Sequence, residues 1–276
     1  MVLTTSYQLY DMHAHLGFAP DPCAYAACAA EHGIAFFSTT VTPQEYLQCE
    51  PLLASASNVV CGVGLHPWWL EADQSGVDEV CELIADTPFV GEIGMDASPR
   101  RAFFEAEQKE AFEKIVHACT RAGNRVLSIH SVSSASTVLD VLERAGAFMN
   151  CICVFHWFSG SMAEMIRAKN AGCYFSINPR MMQTRKGKEY VSQLPVERLL
   201  LETDLPAEIA YGQSSDQLCD QTYGQGVDEA IEHHKALLEG VLDAIATAKK
   251  LTSSEEKEAL AAQIRTTSAQ ILNCSV

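Results

Sequence analysis

The chain has 276 residues, of which 48% are hydrophobic, and it carries a formal net charge of −16. This size can bury one large core, and the charge disfavours indiscriminate binding to nucleic acid or to an anionic membrane. No apolar run approaches the roughly 20 residues that span a bilayer, so we expect no membrane association. The 11 cysteines include no Cys-x-x-Cys pair, and no signal peptide is visible, so we expect reduced thiols in a cytoplasmic protein.

Segments of strand and helix type alternate along the chain. The predicted strands cover residues 8–17, 34–41, 59–65, 89–96, 125–130, 151–156, 173–178 and 199–204. Helical patterns lie between them, and two amphipathic helices close the chain after a polar loop at 206–226. This alternation favours parallel pairing. We predict an α/β fold, a distorted (β/α)8 TIM barrel in a single domain over 1–276 with extra C-terminal helices, and an open doubly wound sheet is the alternative.

Histidines and acids gather at the predicted strand ends. The residues concerned are His13, His15, His66, His130 and His156, together with Glu92 and Asp204. In a TIM barrel the carboxyl ends of the strands meet at the rim that holds the active site. The remaining histidines, His32, His117, His233 and His234, fall on predicted helices and are expected to be surface or packing residues. The pattern therefore predicts a metal centre rather than a set of core histidines.

The types of ligand limit the metal chemistry. Four imidazoles and two carboxylates suit Zn²⁺, Mn²⁺, Fe²⁺ or Mg²⁺, and they are too many for one catalytic ion with an open position. We therefore predict two divalent metal ions, with Glu92 as the bridging carboxylate. Asp204 can bind an ion and accept a proton from the attacking water, so Asp204 and Glu92 are the predicted catalytic residues. Glu202 shares a strand face with Asp204 and is expected to support the ligands.

Six motifs occur in one order along residues 11–204. They are Asp11-Met12-His13-Ala14-His15, Gly64-Leu65-His66-Pro67, Gly91-Glu92-Ile93-Gly94-Met95-Asp96, Ser128-Ile129-His130-Ser131, His156-Trp157-Phe158-Ser159-Gly160 and Glu202-Thr203-Asp204. In this order they resemble the TatD-type metal-dependent deoxyribonucleases. The stretches 16–22, 156–160 and 175–182 are most similar to the QatD-like members of Qat anti-phage defence clusters.

The resemblance implies a barrel with two divalent metals that hydrolyses phosphodiesters of DNA, with proteins of a defence cluster as further partners. By motif match, the metal ligands are His13, His15 and Asp204 for the first ion, His130 and His156 for the second ion, and Glu92 as the bridge. His66 would face the scissile phosphate.

Two arginines that are common in this family are missing from the chain. The fifth strand reads His130-Ser131-Val132, and no arginine occurs between Asp204 and Arg265. Basic residues after the seventh strand, among them Arg180 and Arg185, are the candidate replacements for substrate binding, and an ordinary solvated surface is the alternative. Trp68 and Trp69 follow His66 and form either buried packing or a stacking surface beside the pocket.

The leading hypothesis is a two-metal hydrolase that acts on DNA ends or single strands and serves phage defence. A hydrolase of a small ester, amide or phosphorylated metabolite is the first alternative, which the acidic charge and the missing arginines favour. A non-catalytic subunit of a defence complex, with structural metals, is the second alternative. The presence of all six ligand positions argues against this last hypothesis.

Overall fold

A computed structural model describes residues 7–70, 74–206 and 226–273. Within them, eight parallel strands form one sheet in chain order. The strands are β1 (Leu9–Ala14), β2 (Ile34–Thr39), β3 (Val59–Leu65), β4 (Phe89–Asp96), β5 (Arg125–Val132), β6 (Cys151–His156), β7 (Tyr174–Ile177) and β8 (Leu199–Leu201). The sheet curves into a nearly closed barrel with helices between the strands, so the predicted distorted (β/α)8 barrel is confirmed.

Helices cover the outside of the barrel. They are α1 (Pro22–Glu31), α2 (Pro43–Leu53), α3 (Ser75–Leu83), α4 (Glu105–Ala122), α5 (Ala135–Arg144), α6 (Ala147–Asn150), α7 (Met162–Asn170), α8 (Pro179–Met182), α9 (Arg185–Gln193), α10 (Val227–Ala248) and α11 (Ser254–Leu272). The short helices α6, α8 and α9 were not predicted. Most of the predicted loop at 206–226 lies outside the described residues. In the part of the chain that the structure covers, none of the helices is long and apolar enough to cross a membrane.

Backbone hydrogen bonds join the chain that follows β8 to the end of β1. The amide of Asp204 donates to the carbonyl of His13 at 3.0 Å, and the amide of His15 donates to the carbonyl of Leu205 at 3.0 Å. The eighth strand is shorter than predicted because its chain leaves β7 after Glu202 and turns towards β1. This turn brings Asp204 beside His13 of β1 and His15, which follows the strand.

The interior of the barrel contains its own apolar cluster. Tyr10, Met12, Phe37 and Leu200 are buried there, and Leu272 of α11 packs on the same cluster. The same cluster includes Phe89 and Val126 from the first two positions of β4 and β5, so α11 packs against the amino-terminal end of the barrel. The carboxyl ends of the strands are therefore left for the polar residues.

Two strands have a shift in pairing register close to predicted ligands. The register of β1 against β2 shifts between Asp11 and Ala14, and that of β4 against β5 shifts between Val90 and Ile93. Such irregularities re-aim side chains and are common beside active sites. As a result, Met12 packs inside the barrel and the next side chain, His13, also reaches across the interior to β5.

Candidate metal centre

The carboxylate of Glu92 lies at the centre of the histidine cluster and is buried. Its Oε2 lies 3.4 Å from Nε2 of His13 and 3.5 Å from Nε2 of His15. Its Oε1 lies 2.8 Å from Nδ1 of His130 and 2.9 Å from Nε2 of His156. Each oxygen of one carboxylate therefore faces different imidazoles, and His66 is a third ring near Oε1.

Asp204 lies on the side of the cluster formed by β1. Its Oδ1 is 3.2 Å from Nε2 of His15 and 3.5 Å from Nε2 of His13, and its side chain is 27% exposed. The structure thus brings together all six predicted ligands. Three sets have ligand atoms within 4.8 Å of one another: His13, His15 and Glu92; His66, Glu92 and His130; and His13, His156 and Asp204.

The ring of His66 differs from the other imidazoles in its hydrogen bonding. Its Nδ1 accepts a hydrogen bond from the backbone amide of Trp68 at 3.1 Å, and its Nε2 lies 3.4 Å from Oε1 of Glu92. Burial and the nearby positive charge of His130 lower the pKa of His66 to about 3, so the ring is neutral. A neutral ring that accepts at Nδ1 carries its proton on Nε2 and can donate from that atom.

The donor set fits divalent cations. Nε2 of His13 is buried without a hydrogen-bond partner, while Nδ1 of the same ring lies 2.7 Å from Oγ of Ser128. A hydrogen bond on one ring nitrogen fixes the orientation of a histidine and leaves the other nitrogen for a metal. On the far side of the cluster, Oε1 of Glu202 lies 3.6 Å from Nδ1 of His156, and its other oxygen accepts from Ser176. Glu202 therefore lies in contact with a predicted metal ligand, His156, as expected of a residue that supports the ligands.

Asp96 is a functional candidate that the sequence analysis missed. Its Oδ2 accepts a hydrogen bond from Nε1 of Trp68 at 2.7 Å and lies 3.4 Å from Nε2 of His130. Hydrogen bonds from His130 and Trp68 outweigh the effect of burial, and they lower the pKa of Asp96. The sequence contains a signal for this role: side chains alternate between the two faces of a strand, so Asp96 lies on the same face of β4 as Glu92.

A buried network behind the centre was also missed. Oδ2 of Asp11 lies 2.7 Å from Nε2 of His234 on α10 and accepts from Oγ1 of Thr203 at 2.6 Å. Oδ1 of Asp11 accepts from the amide of His13 at 3.0 Å. One buried carboxylate thus holds both β1 and the segment that ends in Asp204. His234 is a buried residue, and its partner on β1 could not be identified from helical periodicity.

Without a cation, the charges of the cluster compensate one another. Burial lowers the pKa of His15, but hydrogen bonds to Asp204 and Glu92 raise it to about 10. The pKa of His130 and of His156 is also raised, because nearby carboxylates outweigh the effect of burial. A pKa of about 10 keeps His15 protonated at neutral pH beside Asp204 and Glu92.

We expect metal stabilisation of this protein to increase with pH. Cations bind neutral imidazoles, so binding must displace the proton of His15, and affinity should rise about tenfold per pH unit for each displaced proton. In the metal-free protein, the raised pKa of His15 stabilises the fold below pH 6.5, and this contribution is lost as the pH rises through about 10. The difference in unfolding temperature between Mn²⁺ and EDTA samples should be larger at pH 8.5 than at pH 6. An equal difference at both pH values would contradict this protonation scheme.

An open cavity of about 900 Å³ lies above the cluster. His66, Trp68, Trp157 and Arg180 are among the residues that line it. The guanidinium of Arg180 lies 5.7 Å from the ring centre of Trp157, and that of Arg101 lies 5.2 Å from the ring centre of Trp68. Two indoles, each paired with an arginine, therefore flank the centre.

Arg185, a predicted substrate contact, and His233, a predicted surface or packing residue, differ in their relation to this cavity. Arg185, an exposed residue at the start of α9, is not part of the cavity lining, whereas His233 of α10 is part of it. Of the two adjacent tryptophans, Trp68 lines the cavity and Trp69 packs against the core. The structure thus separates the predicted substrate contacts into Arg180 and His66 at the cavity and Arg185 beyond it.

Comparison with known proteins decides the family. The sequence profile of the family described as "TatD related DNase" matches residues 10–267. The chain belongs to the TatD family. Within it, the chain is 30% identical over 213 residues to an uncharacterized metal-dependent hydrolase TatD of Mycobacterium tuberculosis, covering 72% of this chain and 80% of that protein. It is 27% identical over 201 residues to the 3'-5' ssDNA/RNA exonuclease TatD of Escherichia coli K12, covering 68% and 74%.

Matches to other TatD relatives are shorter. The chain is 31% identical over 121 residues to the human deoxyribonuclease TATDN3, which is 43% of each protein, so the match spans less than half of that relative. Among solved structures, the TatD homologue YJJV of Escherichia coli K12 superposes with a TM-score of 0.74 at 19% identity, covering 99% of this chain and 100% of that chain. This likeness shows that the TatD barrel is the fold of this chain.

Proposed function

We propose that this TatD-family protein is a two-metal-dependent hydrolase that cleaves phosphodiester bonds of DNA. The observation that carries the proposal is Glu92, whose Oε2 faces His13 and His15 and whose Oε1 faces His130 and His156, all within 3.5 Å. The ring of His66 also lies 3.4 Å from Oε1. A carboxylate in this position can bridge two cations about 3.5–4 Å apart, the spacing of two-metal phosphodiesterases and nucleases. The family supports the same chemistry, since relatives are described as metal-dependent hydrolases and deoxyribonucleases.

Each side chain of the centre has a role in this proposal. Glu92 would bridge two ions, of which His13, His15 and Asp204 hold the first and His130 and His156 hold the second. When bound, such ions supply Lewis acidity towards the phosphate and lower the pKa of water. Asp204 accepts the proton of the attacking water, because it is ionised and partly exposed to the cavity. His66 donates a hydrogen bond from Nε2 to a phosphate oxygen. Its neutral tautomer carries the proton on Nε2, so it suits this role better than metal binding.

The cavity walls favour a single-stranded nucleic acid over a smooth duplex. Indole rings stack on unpaired bases, and guanidinium groups pair with phosphates. Trp157 with Arg180, and Trp68 with Arg101, provide one such pair on each side of the centre. Arg180, which lines the cavity, and Arg101, which lies outside the lining against Trp68, would thereby take over the phosphate contacts of the arginines that are missing after His130 and after Asp204.

Arginine variants should separate contacts inside the cavity from contacts beyond it. Arg180→Gln should raise KM for both a dinucleotide and a longer single-stranded oligonucleotide, because Arg180 lines the cavity. Arg185→Gln should raise KM for the longer substrate alone and flatten its salt dependence, because Arg185 is exposed outside the cavity. We expect kcat to change little in both variants, and equal effects of the two variants on the dinucleotide would contradict this arrangement.

A small-molecule substrate is the alternative within the same metal chemistry. One observation favours it: among the described residues, Arg180 is the one lysine or arginine that lines the cavity. A substrate panel decides between the two. Protein loaded with Mg²⁺, Mn²⁺ or Zn²⁺ is assayed on single-stranded DNA, duplex DNA, RNA, chromogenic phosphodiesters, phosphomonoesters and carboxylic esters. The proposal requires the highest kcat/KM on DNA, and a higher value on a phosphomonoester or carboxylic ester overturns it.

We further propose that this hydrolase serves anti-phage defence together with the other proteins of a Qat-like defence cluster. The support is the resemblance of the stretches 16–22, 156–160 and 175–182 to QatD-like proteins. In the structure, two of these stretches carry Trp157 and Arg180, which line the cavity. The test is phage plating on cells that express the complete cluster with wild-type protein or with Asp204→Asn. Equal protection by the wild-type protein and by Asp204→Asn would show that defence does not depend on hydrolysis.

A further inference from the structure

A second group of metal-binding side chains lies between α1 and α10, outside the cavity lining. Cys28 and His32 are one turn apart at the end of α1, so both side chains project from the same face. Asp228 comes from the first turn of α10, which packs against that face. These three side chains take no part in the proposed hydrolysis.

The distances in this group match a tetrahedral ion. Oδ1 of Asp228 lies 3.0 Å from Nε2 of His32 and 3.4 Å from Sγ of Cys28, and all three atoms are within 4.8 Å of one another. Around a tetrahedral Zn²⁺, nitrogen and oxygen ligands are about 3.4 Å apart, and sulfur and oxygen ligands about 3.6 Å apart, given the usual bond lengths. The two distances from Oδ1 of Asp228 therefore lie within about 0.4 Å of those around a tetrahedral Zn²⁺, which would replace the thiol and imidazole protons.

We propose that Cys28, His32 and Asp228 bind a Zn²⁺ ion at the junction of α1 and α10. A thiolate, an imidazole and a carboxylate form a ligand set that selects Zn²⁺ over Mg²⁺, Mn²⁺ and Ca²⁺. Glu232 follows Asp228 by one helical turn on the same face of α10 and can supply the fourth ligand. The site differs in kind from the centre in the barrel, whose predicted ligands include no cysteine.

The position of the proposed site points to a structural role. Close to the proposed site, the same two helices meet through the hydroxyl of Tyr25, which lies 2.8 Å from Nδ1 of His234. His234 in turn contacts Asp11, which holds the amide and hydroxyl of Thr203 beside Asp204. A zinc ion would clamp α10 onto α1 and thereby stabilise the support of the segment that carries Asp204.

Cobalt substitution distinguishes this site from the barrel centre. A cobalt–thiolate bond absorbs in the near ultraviolet, whereas cobalt held by histidines and carboxylates alone lacks that band. Metal-stripped full-length protein titrated with Co²⁺ should develop the band. Cys28→Ser should abolish it, and Cys23→Ser, which removes an exposed thiol from the same helix, should leave it unchanged. His32→Gln and Asp228→Asn should shift the titration to higher Co²⁺ concentration.

Thermal unfolding provides a second measurement on the same proteins. Added Zn²⁺ should raise the unfolding temperature of Cys23→Ser more than that of Cys28→Ser, because only the former keeps the complete site. Circular dichroism and hydrolysis with Mn²⁺ verify that Cys28→Ser is folded. If wild-type protein gives no thiolate band, or if the band persists in Cys28→Ser, the proposal is overturned and the three side chains form a plain hydrogen-bonded group.

Discussion

Replacement of Asp204 by asparagine is expected to lower hydrolysis by roughly 10²-fold or more, the usual scale for the loss of a general base. Burial raises the pKa of Asp204, but the hydrogen bond with His15 and the other nearby imidazoles lower it, so the side chain is a carboxylate at neutral pH. Asparagine retains an oxygen that can face His13 and His15 but accepts a proton poorly. The measurement is kcat on whichever DNA substrate is fastest, with metal content determined on the same sample.

The backbone at this position provides a matched control. Asp204 has a φ of 64°, in the left-handed region that asparagine tolerates and alanine does not. Asp204→Asn should therefore unfold at nearly the wild-type temperature and retain at least the ion near Glu92, His130 and His156, whereas Asp204→Ala should lose both stability and metal. If Asp204→Asn stays folded and metal-loaded with near-normal turnover, the base lies elsewhere and the assigned role is wrong.

Replacement of Glu92 by glutamine is expected to have the largest effect on metal content. Wild-type protein purified without chelator should contain about two divalent ions per chain, and the variant should contain less than one. The reason is that both oxygens of Glu92 face imidazoles, so one neutralised carboxylate weakens both ion positions at once. Hydrolysis should fall at least as far as in Asp204→Asn. Metal analysis and turnover of the same preparation provide the measurement.

A double variant identifies the bridging role of Glu92. His130→Ala combined with His156→Ala should remove about one ion, because the two rings face one oxygen of Glu92, Oε1. Circular dichroism of each variant is needed to exclude unfolding as the cause of metal loss. A wild-type content of one ion would contradict the two-metal proposal, and a Glu92→Gln variant that still binds two ions would contradict the bridging role of Glu92.

The sequence predicted the strand ends well because parallel β/α units place polar residues in one recurring position. His13, His66, Glu92 and His130 all follow or end apolar runs, and the barrel brings such positions to one rim. The pattern overestimated β1, which ends at Ala14 and not at residue 17, and it was also not sufficient for strand length at β8. There, the chain leaves the sheet after Glu202 to bond with β1, a long-range contact that local periodicity does not contain.

Residues whose roles depend on distant partners were the ones missed. Asp11 belongs to a recognised motif, but its partner His234 is 223 residues away, and no spacing rule connects them. Asp96 could have been found from the alternation of side chains along β4, because it lies four residues after Glu92 and shares its face of the strand. The pairing of each arginine with an indole at the cavity also depends on loops whose course the sequence pattern does not specify.

The hydrogen bonds of Asp11 have a consequence for the order in which the protein becomes active. Asp204 is positioned by a segment that Asp11 holds, and Asp11 is in turn held by His234 of α10. During synthesis the amino-terminal part of the chain emerges first, and contacts between residues far apart in sequence form late. The five histidines at the strand ends and Glu92 are therefore made before the last carboxylate can be fixed in place. Competence for the proposed hydrolysis should therefore arise as one of the final events of folding.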